Sequence, residues 1–352
     1  MTSGPQASFW RGKRVLVTGH SGFKGSWLTL WLARLGAEVT GISLQPRTTP
    51  NLFNEACIGE LGESYFCDVR NADALAERVR AAKPDVVFHL AAQPLVRESY
   101  KSPLATFAIN IMGAVHLLEA LRSLDVVRVA VMVTTDKVYR NANLARPFRE
   151  DDPLGGHDPY SASKAASEIA IASYRDSFLS DRGIAVASAR SGNVIGGGDW
   201  SEDRLIPDAV RAWDAGATLM IRRPDAVRPW QHVLEPLAGA YNFGPEGTDA
   251  ITVREVIDMA KVAYAEGDVR YGTGDDGPHE AAWLTLDNAK ACAALGVTPV
   301  QTLAEAVART MQWYRALKEG GDARALCEAD IAYFDQRARG KAVSPASLAS
   351  AI

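Results

Sequence analysis

The sequence predicts an α/β protein: a doubly wound parallel sheet with a smaller, mixed α/β lobe toward the C-terminus. Three observations predict it. Short, β-branched apolar runs such as Val126 to Val133 are bounded by polar residues, the pattern of strands buried on both faces. These runs alternate with helix-length segments over the first half of the chain. Clusters of reactive side chains fall where the runs end, and the carboxyl edge of an open α/β sheet is where ligands bind.

Lys13 to Thr18 is the first strand, followed at once by Gly19-His20-Ser21-Gly22-Phe23-Lys24-Gly25 and a helix from Ser26 to Leu35. Glycines let this turn approach a pyrophosphate, which then rests on the free N–H groups and positive dipole end of the helix. The spacing Gly19-x-x-Gly22-x-x-Gly25 is a variant of the Rossmann-type dinucleotide fingerprint, with Ser21, Phe23 and Lys24 inside the cradle. The second strand, Glu38 to Leu44, ends in Ser43 where NAD proteins usually carry an acid. Ser43 can bond a ribose 2′-hydroxyl, whereas Arg47 can pair a 2′-phosphate or stay solvated. This position alone leaves NAD and NADP open.

Tyr65 to Arg70 reads as a third strand whose Asp68, beside Val69, meets an adenine or caps the helix Ala72 to Ala82. Pro84 to Leu90 is a fourth, leading from Leu90 to Ala91, Ala92 and Gln93; small residues such as the two alanines are needed where a cofactor lies across the strand end. The helix Pro103 to Ser123 carries an apolar stripe of Phe107, Ile111, Val115 and Leu118. Asn110 at its middle requires partners: it orders water or holds the backbone near Lys164.

The fifth strand ends in Thr134-Thr135-Asp136-Lys137, and Pro159 starts a helix that puts Tyr160 and Lys164 one turn apart on one face. A free tyrosine titrates near ~10 and is a poor base at neutral pH. A neighbouring ammonium favours the phenolate, so this pair can take a hydroxyl proton while the carbon gives up hydride.

The 352 residues and net charge of −4 describe a globular chain able to bury a full core. Scattered arginines and an acidic balance exclude a nucleic-acid groove. Four cysteines, Cys57, Cys67, Cys292 and Cys327, show no CxxC or metal-type spacing, so no metal site is expected. No apolar signal core and no run long enough for a bilayer is seen, and the expected location is a reducing cytoplasm.

Together, Gly19-x-x-Gly22-x-x-Gly25, Leu90-Ala91-Ala92, Asn110 and Tyr160-x-x-x-Lys164 resemble the extended short-chain dehydrogenase/reductase family of nucleotide-sugar enzymes. Longer motifs, including Gly19 to Trp27, Thr135 to Lys137, Glu150 to Tyr160, Gly192 to Trp200 and Arg228 to Glu235, resemble its CDP-glucose-dehydrating branch. The similarity runs from about Trp10 to Tyr314. It implies tightly held NAD, a CDP-glucose substrate and a redox-neutral loss of water across C5 and C6. Tyr160, with Thr135 and Lys164, would act at C4, Asp136 as acid on the 6-hydroxyl and Lys137 as base at C5, where related dTDP-glucose enzymes use Glu. Asn110, Asn193, Arg204, Arg228 and His279 would hold the substrate.

The resemblance also implies a domain plan. Residues 11–190 form the NAD-binding domain with 228–245 returning to it, residues 191–227 and 246–318 the nucleotide-sugar lobe, and residues 319–352 a partly disordered tail. Homodimers or dimers of dimers form through a helix bundle in this family. One departure is the short Pro236 to Tyr241 connection, which has no room for the helix the family carries there. Two other readings use the same scaffold: an epimerase or reductase, which has no need of Asp136 and Lys137, and an inert NAD-binding module.

Overall fold

The computed structural model describes residues 5–141, 146–235, 241–244, 251–273, 281–296 and 298–340. The first half alternates strand and helix: β1 (Arg14–Thr18), α1 (Phe23–Arg34), β2 (Glu38–Ser43), β3 (Gly62–Phe66), α2 (Ala72–Ala82), β4 (Val86–His89), α3 (Pro103–Leu121), β5 (Val129–Val133), α4 (Pro159–Tyr174) and β6 (Ala185–Ser191). The sheet order is β11-β6-β5-β4-β1-β2-β3, all parallel, where β11 is the short strand Asn242–Phe243 at the β6 edge.

Alternation within the strands explains why the sheet is sandwiched. Leu16, Val87, Ala130, Met132 and Val186 face a core shared with Leu75 and Val79 of α2, Leu117, Leu118 and Leu121 of α3, and Ile171 of α4. Val15, Val17, Val86, Phe88, Val131 and Ala189 face the opposite core with Leu28 and Leu32 of α1. With both faces covered, each strand can be apolar throughout.

Three short strand pairs follow among the described residues, with further helices. Strand β7 (Asn193–Ile195) runs parallel to β10 (Trp230–His232), β9 (Val227–Arg228) antiparallel to β12 (Ile251–Thr252), and β8 (Thr218–Ile221) parallel to β13 (Asp268–Tyr271). Helices α5 (Leu205–Asp214), α6 (Val253–Tyr264), α7 (Leu303–Lys318) and α8 (Ala323–Gly340) build a third core with Trp27, Leu30 and Trp31 of α1. Helix α1 therefore packs its Leu28 side on the sheet and its tryptophans on this core. Both α6 and α7 begin with reciprocal Thr/Glu capping boxes, Thr252 with Glu255 and Thr302 with Glu305.

Four expectations change. Residues 323–340 of the expected, partly disordered tail form α8, because Cys327, Ile331, Phe334 and Ala338 recur at helical spacing and bury into the third core. In α3 the buried side is Thr106, Asn110, Ala114, Leu117 and Leu121, whereas Phe107, Ile111 and Val115 of the expected stripe are only half-buried. Asn71, not Asp68, caps α2; Asp68 instead forms an ion pair with Arg70. Strands β10 and β11, which flank the short connection, lie in different sheets, so no crossover between them within one sheet is required. Residues 236–240 of that connection lie outside the described residues.

Among the described residues, α3 is the helix long and apolar enough to cross a membrane. Its buried side packs on the sheet and α4.

Candidate active site

The carboxyl ends of β1 to β6 open into one cleft of about 1310 Å³. Single small-molecule pockets run to roughly 1,000 Å³, so this cleft has room for two ligands.

One half is a dinucleotide cradle. Gly19, Ser21, Gly22, Phe23, Lys24 and Gly25 line it, with Ser43 from β2, Asp68 and Val69 beyond β3, and Leu90, Ala91, Ala92 and Gln93 beyond β4. The glycines fit a closely approaching backbone. A Cβ on Gly25 would lie 2.0 Å from Gly19 O, and Gly19 has φ +79° with its Cβ position 2.7 Å from Ala91 N. At the ribose end, Ser21 Oγ donates to Leu44 O at 2.7 Å and Ser43 Oγ to Ser21 Oγ at 2.8 Å. These residues fit the dinucleotide that the glycine pattern implies and the NAD that the resemblance implies.

The reactive residues meet at the ends of β5 and α4. Asp158 caps α4 by accepting from Ser161 N at 2.9 Å, and Pro159 supplies the first turn, which fixes Tyr160 and Lys164 at the cleft wall. Lys164 Nζ donates to Val133 O, the last residue of β5, at 3.2 Å. Thr135 Oγ donates to Asp136 Oδ1 at 2.8 Å, and Lys137 Nζ donates to the same oxygen at 3.1 Å. Thr135 and Lys137 line the cleft. Asp136 lies behind that wall, 0 % exposed, and its Oδ2 has no hydrogen-bond partner among the described residues.

Electrostatics here differ from the simple tyrosine–lysine expectation. Burial pushes the Tyr160 phenol up, opposed by a hydrogen bond with Thr135 and by the charge of Arg204. Burial lowers Lys164 to about 8, with Glu168 pulling it back up. Burial also lowers Lys24 to about 7, helped by Arg204 and Lys164.

Asn193, Arg204 and Arg228 line the other half of the cleft, joined by Arg222, which the sequence did not single out. Arg204 precedes α5 and reaches Pro94 O at 3.2 Å; Arg228 is buried on β9. His279 lies outside the described residues. Asn110 has a different post from the substrate contact expected of it. Its Oδ1 accepts from Gln93 N at 2.8 Å, and its Nδ2 donates to Gln93 O at 3.1 Å and Ser163 Oγ at 2.9 Å. It is buried at a π-turn within α3, where it ties the end of β4 to α4.

The NAD dependent epimerase/dehydratase family matches residues 15–240. A CDP-glucose 4,6-dehydratase of Salmonella typhimurium is 42% identical over 337 residues, 90% of this chain and 94% of that protein. A UDP-glucose 4-epimerase of Mycolicibacterium smegmatis is 30% identical over 319 residues, covering 86% and 98%. The NAD complex of the Thermus thermophilus UDP-glucose 4-epimerase superposes with TM-score 0.72 at 26% identity, covering 86% and 98%. With a dinucleotide cradle, a Tyr-x-x-x-Lys helix and this similarity along most of its length, the chain belongs to the NAD dependent epimerase/dehydratase family.

Proposed function

We propose that the protein is a cytoplasmic, NAD-dependent 4,6-dehydratase that converts CDP-glucose to CDP-4-keto-6-deoxyglucose for deoxysugar synthesis. The observation that carries this reading is two acid–base sets at one cleft: Tyr160 with Lys164 on α4, and Thr135 and Lys137 after β5 with Asp136 bonded to Lys137 directly behind them. Chemistry at C4 alone needs only the first set.

The residues divide the work as follows. Gly19 to Gly25, with the ends of β2, β3 and β4, hold the dinucleotide. When bound, NAD supplies an acceptor that takes hydride from sugar C4 and returns it at C6. Tyr160 takes the proton of the 4-hydroxyl, with Arg204 and Thr135 favouring the phenolate. The new ketone acidifies C5, whose proton Lys137 removes and later returns. Asp136 gives a proton to the departing 6-hydroxyl, which leaves as water. Thr135 bonds both Tyr160 and Asp136, so the proton gained by the phenol has a route through one hydroxyl to reset the acid. Arg204 and Arg228 pair the diphosphate, and Asn193 orients the sugar nucleotide.

Two copies are expected to associate through α3 and α4. These helices pack side by side and leave Leu104 83% and Ile169 62% exposed, with Met112 of α3 and Phe178 just beyond α4 also exposed.

The test is Asp136→Asn with stoichiometric CDP-glucose. The proposal expects reduced-nicotinamide absorbance to accumulate in one turnover without 4-keto-6-deoxy sugar. Product formation at the unmodified rate would remove Asp136 from the mechanism.

A further inference from the structure

One buried acid close to the reacting groups has no part in the chemistry above. Glu168 is 5% exposed and sits one helical turn beyond Lys164 on α4. Its carboxylate is fully engaged. Oε1 accepts from Thr134 Oγ and from Arg190 Nε at 3.0 Å; Oε2 accepts from Ser188 Oγ at 2.7 Å and Arg190 Nη2 at 3.0 Å. The fork of Arg190 is thus bidentate, and its Nη1 donates to Tyr139 Oη at 2.9 Å and Glu150 O at 3.2 Å. Tyr139 in turn donates to Asn242 Oδ1 on β11 at 2.6 Å.

The arrangement brackets the reactive turn. Thr134 stands immediately before Thr135, Asp136 and Lys137, and Tyr139 shortly after them; both are held by this one ion pair. The ion pair is itself anchored on α4, the helix that carries Tyr160 and Lys164.

We propose that Glu168 is a positioning residue for catalysis: it locks the turn 134–139 against α4 and supplies the negative charge that keeps Lys164 protonated. This rests on the dehydratase reading for its kinetic part only. Lys164 interacts electrostatically with Lys24 from α1 and His89 from β4, and Lys137 of the turn lines its end of the cleft with Asp136 behind the wall. His89 is held neutral, lowered to about 3 by burial and Lys164. Asp136 already serves Thr135 and Lys137. Glu168, although paired with Arg190, is the anion that opposes the burial that lowers Lys164.

Three variants separate position from charge. In Glu168→Gln the shape stays and the charge goes, so kcat falls about 100-fold with KM little changed. The alkaline limb of the kcat profile also moves about one unit to lower pH, because loss of an anion lowers a lysine. Thr134→Val cuts the tie to the turn and keeps the charge; kcat falls while the limb stays. Ser188→Ala removes one hydrogen bond from the carboxylate and leaves both kcat and limb near those of the unmodified protein. An unmoved limb and unchanged kcat in Glu168→Gln would overturn the proposal. If Glu168→Gln does not fold, an unchanged kcat in Thr134→Val overturns the positioning role on its own.

NAD titrations across pH read the same lysine without any sugar. A shifted affinity profile in Glu168→Gln supports the charge role even if CDP-glucose is not turned over, an outcome that would count against the dehydratase reading alone. Identical profiles in the two proteins would overturn the charge role whatever the substrate.

Discussion

Lys24 Nζ donates to Ser191 Oγ at 2.7 Å, joining the glycine turn after β1 to the last residue of β6. In the sheet these strands are separated by β4 and β5, so the bond spans the two strand ends between Leu90 and Thr134 where the reacting atoms must lie. Lys24 is half-buried at the cleft wall, and burial with Arg204 and Lys164 lowers its amine to about 7.

That lowering has a signed consequence for stability. The unfolded chain binds this proton up to the ordinary lysine value, whereas the folded chain releases it near 7. Between these values the unfolded state holds more protons, so folding becomes more favourable as pH rises. Below the folded value the penalty is present in full. Lys24→Met removes it, and Tm at pH ~6.5 should rise by about 3 °C or more, with a smaller gain at pH ~10. An equal change at both pH values would show that the amine is not the cause.

Tyr160→Phe should lower kcat by about 10³-fold or more while leaving NAD affinity within a few-fold. Arg204 opposes the upward push on the phenol, so its removal raises Tyr160 further. In Arg204→Ala the acidic limb of the kcat profile therefore moves to higher pH. A limb that stays in place would assign it to another group.

Gly25→Ala and Gly22→Ala test the cradle against each other. The first places a methyl 2.0 Å from Gly19 O, the second 3.4 Å from the same atom. Gly25→Ala should weaken NAD binding by more than about tenfold, since the turn must open to admit the methyl. Gly22→Ala should cost far less, and equal losses by calorimetry would contradict the geometry.

Asn110→Leu should cost about 2 to 4 kcal/mol in urea unfolding, because it strands the buried N–H and carbonyl of Gln93. Its residual activity should show an unchanged KM for the nucleotide sugar, as the side chain does not line the cleft. A raised KM with unchanged stability would return Asn110 to the substrate site.

Local signals carried the first half of the fold. The β-branched runs placed β1, β2, β4 and β5, and the expected helix at residues 72–82 forms with those bounds. Pro159 and the Tyr160/Lys164 spacing placed α4. Helix α8 was harder because its buried face includes Cys327 and Ala338 among many charges, a weak stripe beside an Ala/Ser-rich end. What local pattern could not give was long-range polar pairing. Glu168 meets partners 34, 20 and 22 residues away, and Lys24 meets Ser191 across 167. Such pairs are set by the sheet order, which places β5 beside β6 and both under α4. The charge that opposes the upward shift of Tyr160 likewise comes from Arg204, distant in sequence and brought in by the start of α5.

The first measurement is to incubate the purified protein and NAD with CDP-glucose, and in parallel UDP- and dTDP-glucose, with no reductant. Alkaline absorbance reports the 4-keto-6-deoxy sugar, and the nicotinamide spectrum is followed alongside. A dehydratase with this arrangement gives product from CDP-glucose with no net reduced cofactor, and one solvent deuterium at C5 when the reaction is run in heavy water. Formation of CDP-galactose instead, or bound NAD with no sugar turned over, would contradict the assignment of Asp136 and Lys137 to a dehydration.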